Sequence, residues 1–221
     1  MKNKKVLMAA ASTALVAVVG IGATLAYFTD QADTENVVTM GHVDVRLVEH
    51  EVKKDNNGKS YVTDNTKPVT EKGLVFEDVY PGETLPKDPT IELVSGSGDA
   101  YVRMKMEIDT SKTTIDADDV AALRENINNE IEKSGDWYYN AEEDFYYYNA
   151  PLTEESNTAT LFTQVTIPGE EWTNNTADQT FSIKLQAEAI QREYFEPTME
   201  GDMITSWNGV TTETYETQVV Q

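Results

Sequence analysis

An all-β sandwich carrying one helical insertion is the fold this sequence predicts. Three observations predict it: apolar residues recur at every second position in several separate runs, turn residues stand between those runs, and a single stretch shows apolar spacings of three and four. The chain has 221 residues, a length that one large β domain can fill, since domains usually run to about 100–200 residues and all-β ones run longer. No break in composition after the first 26 residues calls for a second domain.

The chain begins with a different kind of segment. Residues Met1 to Ala26 hold Lys2, Lys4 and Lys5, no acidic residue, and an apolar stretch from Val6 to Ala26. This is the layout of a secretory leader. Thr24 and Ala26 put small residues at the two positions that a signal peptidase reads, so a signal helix over 1–26 is expected to be cleaved to leave Tyr27 first. The alternative is a retained anchor, because the stretch is just long enough to cross a hydrocarbon layer of about 30 Å.

Residues 27–38 form an extended segment with apolar ends, Tyr27-Phe28 and Val37-Val38, and no turn linking it to the next strand. Such a terminus either pairs within its own chain or adds itself as a donor strand to an open sheet edge, where backbone hydrogen bonds supply affinity. The single domain then spans 39–221. Val43, Val45 and Leu47 alternate with polar residues in its first strand, and the hairpin signal Asn56-Asn57-Gly58 comes after it. Leu74 to Phe76 and Thr90 to Val94 are short strand candidates. Ala100, Val102, Met104, Met106 and Ile108 alternate with Tyr101, Arg103, Lys105 and Glu107, which predicts a strand with one buried and one solvated face. Further strands are expected over Leu161 to Ile167 and Phe181 to Ala189. Between 111 and 151 lies the insertion. Val120, Leu123, Ile127 and Ile131 mark one face of a helix whose first turn, with Asp116, Asp118 and Asp119, suits the free amides and the dipole there. An aromatic hairpin comes next, Trp137 to Tyr139 opposite Phe145 to Tyr148.

Charge and composition exclude several functions. Lys and Arg number 17 against 39 Asp and Glu, a net charge of -22, and there is no cysteine. Removing the three leader lysines leaves 14 basic residues against the same 39 acids, or -25. Nucleic acid and anionic membranes, both bound mainly through clustered Lys and Arg, are poor partners for such a body. Disulfides, zinc–thiolate sites and cysteine nucleophiles are all excluded. Membrane contact is expected only through an uncleaved leader.

Candidate catalytic and metal sites are few. His42 and His50 are the only imidazoles, and on one continuous strand they would lie about 26 Å apart, too far to share a metal. Neither a His-Glu-x-x-His nor a Gly-x-Ser-x-Gly motif occurs. Asp116 to Asp119 and Asp55 to Gly58 look like fragments of calcium loops, but neither completes the pattern, and they read better as a helix cap and a hairpin turn. No catalytic residue, metal site or cofactor is therefore expected, apart from weak calcium binding by the acidic surface. Trp137, Tyr139, Phe145 and Tyr147 either stabilise their hairpin by cross-strand pairing or form a surface for a glycan or another subunit.

Several of these residues together resemble a known family. The junction Thr24-Leu25-Ala26-Tyr27-Phe28-Thr29-Asp30, the run Gly41-His42-Val43-Asp44-Val45, the turn Tyr80-Pro81-Gly82-Glu83 and the closing Trp207-Asn208-Gly209 are similar to the TasA and camelysin family. The resemblance implies a jelly-roll β-sandwich, processing by a SipW-type signal peptidase, and export to the surface or biofilm matrix of a Gram-positive cell. It also implies fibres in which the N-terminal strand of one subunit, with Tyr27, Phe28, Val37 and Val38, is donated to the next, so that the partners are further copies and other matrix components. A non-enzymatic structural protein is thus the leading expectation, with a surface adhesion or glycan-binding module as the alternative. The metalloprotease activity described for camelysin-like members has no ligand set here to carry it.

Overall fold

The computed structural model describes residues 42–169, 172, 176, 179–210 and 214–216. The expected signal helix, the cleavage positions Thr24, Ala26 and Tyr27, and the donor residues Phe28, Val37 and Val38 lie outside the described residues. The chain divides into two units, Met1–Met40 and Gly41–Gln221. The second unit is mostly β, in several antiparallel sheets, with one helix among the described residues.

The largest sheet has five strands: β6 (Ala100–Asp109), β7 (Trp137–Asn140), β8 (Phe145–Tyr148), β11 (Ser182–Gln191) and β14 (Thr214–Glu216), ordered β14-β11-β6-β8-β7. Its centre is the ladder between β6 and β11, in register from Ala100↔Gln191 to Asp109↔Ser182. Both strands alternate as their sequences require. On the inner face Val102 opposes Ala189, Met104 opposes Ala187 and Met106 opposes Leu185, each of them buried. Val102 and Met104 face alanines, whereas Met106 faces Leu185. The three-stranded sheet, β1 (Val45–Val48), β5 (Thr90–Leu93) and β9 (Thr158–Thr160), is ordered β1-β5-β9 and adds Val45, Leu47, Ile91 and Leu93 to the same core. Two-stranded sheets are formed by β2 (Val52–Lys54) with β3 (Tyr61–Thr63), β4 (Thr84–Pro86) with β10 (Gln164–Thr166), and β12 (Thr198–Glu200) with β13 (Met203–Ser206).

The helix α1 (Ala117–Glu132) forms where its spacing predicts. The Asp116 carboxylate caps it by accepting from the amides of Asp118 and Asp119, and Leu123, Ile127 and Ile131 are buried. All three belong to the main core cluster, together with Trp137 and Tyr146 of the aromatic hairpin. The segment 111–151 is therefore no appendage: α1 buries its apolar face in the main core and packs beside β10, and β8 pairs with β6 through Arg103↔Tyr147 and Met104↔Tyr146. An insertion is distinguished from a core element by what its apolar side meets, which periodicity alone does not reveal.

Two strand expectations need correction. Leu74 to Phe76 is irregular chain, with Phe76 docked edge-on against Tyr61 at 4.8 Å. The expected strand Leu161 to Ile167 is broken, because the chain leaves β9 in one sheet and enters β10 in another. At that crossing the consecutive residues Leu161 and Phe162 are both buried, which a continuous strand with alternating faces does not do. The Asn56-Asn57-Gly58 turn forms as its residues predict: Gly58 has φ +68°, and the Asp55 carboxylate accepts from the amides of Asn57 and Lys59.

Candidate functional site

The aromatic hairpin brings its four candidate residues to two different faces. Opposed residues in an antiparallel ladder point the same way, and Trp137 pairs with Tyr148 while Tyr139 pairs with Tyr146. Trp137 and Tyr139 thus share the inner face with Tyr146 and Tyr148, whereas Phe145 and Tyr147 point outward with Tyr138. Trp137 and Tyr147 are buried, and Tyr139 alone among the four keeps substantial exposure, at 38%. The four therefore do not form one aromatic surface. Cross-strand packing accounts for them, with Trp137 and Tyr148 rings 5.1 Å apart and Tyr139 and Tyr146 rings 4.6 Å apart. Burial pushes the Tyr146 hydroxyl up to about 12.

What the hairpin does build is a buried ionic cluster that the alternation of β6 conceals. Arg103 belongs to the face expected to be solvated, yet it is only 5% exposed. Its Nε and Nη2 donate to Glu188 Oε2 at 2.9 and 2.6 Å, and its Nη1 donates to the Tyr147 hydroxyl at 2.8 Å and to Glu143 Oε2 at 3.4 Å. Nη2 also reaches the Val210 carbonyl at 3.2 Å. The guanidinium lies 4.0 Å from the Phe145 ring centre and 4.5 Å from that of Trp207, and desolvated contacts of this kind contribute up to about 2 kcal/mol. The turn of the hairpin delivers Glu143: Asn140 Oδ1 accepts from the amides of Glu142 and Glu143, and Asp144 takes φ +57°. Glu143 in turn accepts hydrogen bonds from the Tyr147 and Ser206 hydroxyls. Burial and the adjacent Glu143 carboxylate together push the Tyr147 hydroxyl up to about 12.

The cover over this cluster is the β12–β13 hairpin. Ile204 and Trp207 are buried against Tyr147 in a second small core on the outer face of the large sheet. Asn140 Nδ2 donates to the Thr205 carbonyl at 2.8 Å, and the Ile204 amide donates to Asn149 Oδ1 at 3.2 Å. Trp207-Asn208-Gly209 makes the sharp exit, with Asn208 at φ +55° and Gly209 at φ +74°. That turn brings Val210 back onto Arg103. Arg103, Glu188, Glu143 and Tyr147 all find partners within the cluster, while the buried Trp207 Nε1 has none among the described residues, and the chemistry of the cluster is that of a fastener.

The two histidines and the acidic loops stand apart from this cluster. His42 is exposed ahead of β1, and His50 lies beyond its end, with Nδ1 2.5 Å from Asp88 Oδ2. Neither stands on the strand itself. Among the described residues no group of three or more His, Cys, Asp or Glu is arranged to hold a metal ion. Asp116 and Asp55 serve as helix cap and turn ligand, as their sequence context predicts. Next to His50, Glu49 is buried against the Lys87 ammonium, and burial holds its carboxyl above the usual range despite that ammonium.

These ion pairs make stability depend on pH. The Lys53 ammonium and the Thr66 hydroxyl hold Asp64 down to about 2, and Lys184 likewise lowers Asp109. A carboxylate held below its unfolded value stabilises the fold above that value and loses the contribution as the pH falls through the folded one. Glu49 has the opposite sign, its contribution being full below about 4.5 and fading as the pH rises. Melting temperature is therefore expected to fall between about pH 4 and pH 2. Asp64→Asn should flatten that fall in a thermal melt series.

Comparison with known proteins bears on the N-terminal part. Residues 1–61 match the family model described as Camelysin metallo-endopeptidase. Over these residues the chain is similar to the TasA and camelysin family. The matched residues take in Met1 to Ala26, Tyr27-Phe28-Thr29-Asp30, β1, β2 and the first residue of β3, so they include the residues 27–30 and 41–45 on which the resemblance rests. The family's description speaks against a flat exclusion of enzymatic activity. No curated protein and no solved structure matches the chain.

Proposed function

We propose that this is an exported structural protein of the cell surface or biofilm matrix, which assembles with its own copies through residues 27–38. The observation that carries the reading is the family match over residues 1–61, which takes in the leader, the junction and the first strands. The jelly-roll arrangement and SipW-type processing belong to this same reading. A further support is β1, which stands at the edge of its sheet, pairs only with β5 among the described strands and so offers an edge that a strand could join. Matrix components and further copies are the partners, and the assembly needs no cofactor.

The net charge of -25 after leader removal sets the conditions, because like-charged subunits repel until protons, salt or divalent cations weaken the field. Purified protein beginning at Tyr27 should scatter light weakly at neutral pH and low salt, and strongly near pH 5 or in added calcium. Assembly that is fastest at low ionic strength and alkaline pH would contradict the proposal.

The family description favours a second reading, a metal-dependent endopeptidase. The described residues do not fit a resident metal: the two imidazoles lie on either side of β1, and His50 already engages Asp88. Chelator-sensitive cleavage of an unfolded protein substrate, lost in His42→Ala or His50→Ala, would establish that reading. Cleavage indifferent to all three treatments would remove it.

A further inference from the structure

We propose that β12 is a docking edge for a cationic extended peptide, independently of the assembly reading above. Among the described residues, β12 pairs with β13 on one side and with no strand on the other. All three of its residues are exposed. An open edge of this kind presents unpaired backbone groups and is a template for another strand.

The surroundings of this edge select what can add to it. Residues 193–202 contain Glu193, Glu196, Glu200 and Asp202 and no basic residue, and all four carboxylates are exposed. None of them makes an ion pair among the described residues. Arg192, the nearest cation in sequence, is held by Asp99 at 3.1 Å. Another copy of this acidic chain is repelled here, and a basic strand is attracted.

Apolar contacts are available on the same edge. Met199 is 48% exposed and points to the side of its ladder partner Ile204, while Glu200, opposite Met203, points to the other side. Tyr194, in the preceding turn, is fully exposed at φ +62°. An incoming strand would place an apolar side chain beside Met199 and a lysine beside Glu200. The class of ligand is therefore a peptide alternating basic and apolar residues, bound by strand addition.

The test uses the chain from Tyr27 onward and a short peptide of alternating lysine and valine, followed by fluorescence anisotropy. The peptide should bind, and more weakly as salt rises. Methylating its alternate backbone amides, which keeps every charge but blocks the ladder, should weaken binding by about tenfold or more, and Glu196→Lys with Glu200→Lys should do the same. Amide exchange within Thr198–Glu200 should slow in the complex. Binding of the methylated peptide as tightly as the parent, or binding of a glutamate–valine peptide in its place, would overturn the proposal. The peptide comparisons decide it on the unaltered protein even where the charge-reversed variant misfolds.

Discussion

Arg103→Met is expected to cost the folded protein about 3–5 kcal/mol, because removing one partner of a buried ion pair leaves the other charge without compensation. Glu188 and Glu143 would lose the guanidinium that now donates to both of them. Phe145 and Trp207 would lose the cation between their rings, and Val210 would lose its donor. The damage should be local as well as global. The β12–β13 hairpin is fastened at Thr205, Ser206 and Val210 by Asn140, Glu143 and Arg103, so amide exchange across 203–210 should accelerate more than in β6 itself. Arg103→Met combined with Glu188→Leu should cost less than the single change, since apolar groups of similar volume replace a buried pair with little loss. Urea unfolding followed by circular dichroism reads the single and double costs, and hydrogen exchange reads the local one. A single-variant cost below about 1 kcal/mol would mean that apolar packing alone holds the hairpin.

The cluster marks the limit of what alternation in a sequence discloses. The β6 pattern identifies the strand and its buried Val102, Met104 and Met106, because those residues must face a core wherever it comes from. It assigns Arg103 to water, since nothing local tells that a hairpin about 100 residues further on covers the second face. The signals for that cover were Phe195, Ile204 and Trp207, apolar residues without an obvious partner strand. The helix was legible because Leu123, Ile127 and Ile131 repeat with the helical period behind an Asp116 cap, two independent signs that agree. The aromatic hairpin was legible as a pairing and misleading as a surface. Residues two apart in one strand share a face, but matching Trp137 and Tyr139 to Phe145 and Tyr147 required a register that only the Asn140 to Phe145 turn fixes.

Removing residues 27–38 has the other large expected effect, loss of assembly with retention of the fold. The core clusters among Val43, the sheets, α1 and Tyr215 all remain in such a truncation, so the monomer should melt near the temperature of the longer protein. Only the segment proposed to add to a neighbour's sheet would be missing. Strand addition gains its affinity from a row of backbone hydrogen bonds, and no cysteine is present to cross-link subunits in its absence. The pH and salt dependence of light scattering should vanish with the segment, because in the proposed assembly charge screening only permits an association made through it. Electron microscopy of the chain beginning at Tyr27 beside the chain beginning at Thr39, both at pH 5 with calcium, is the most direct measurement of the central claim. Fibres from the first and dispersed folded monomers from the second are predicted, and fibres of equal abundance from both would contradict it.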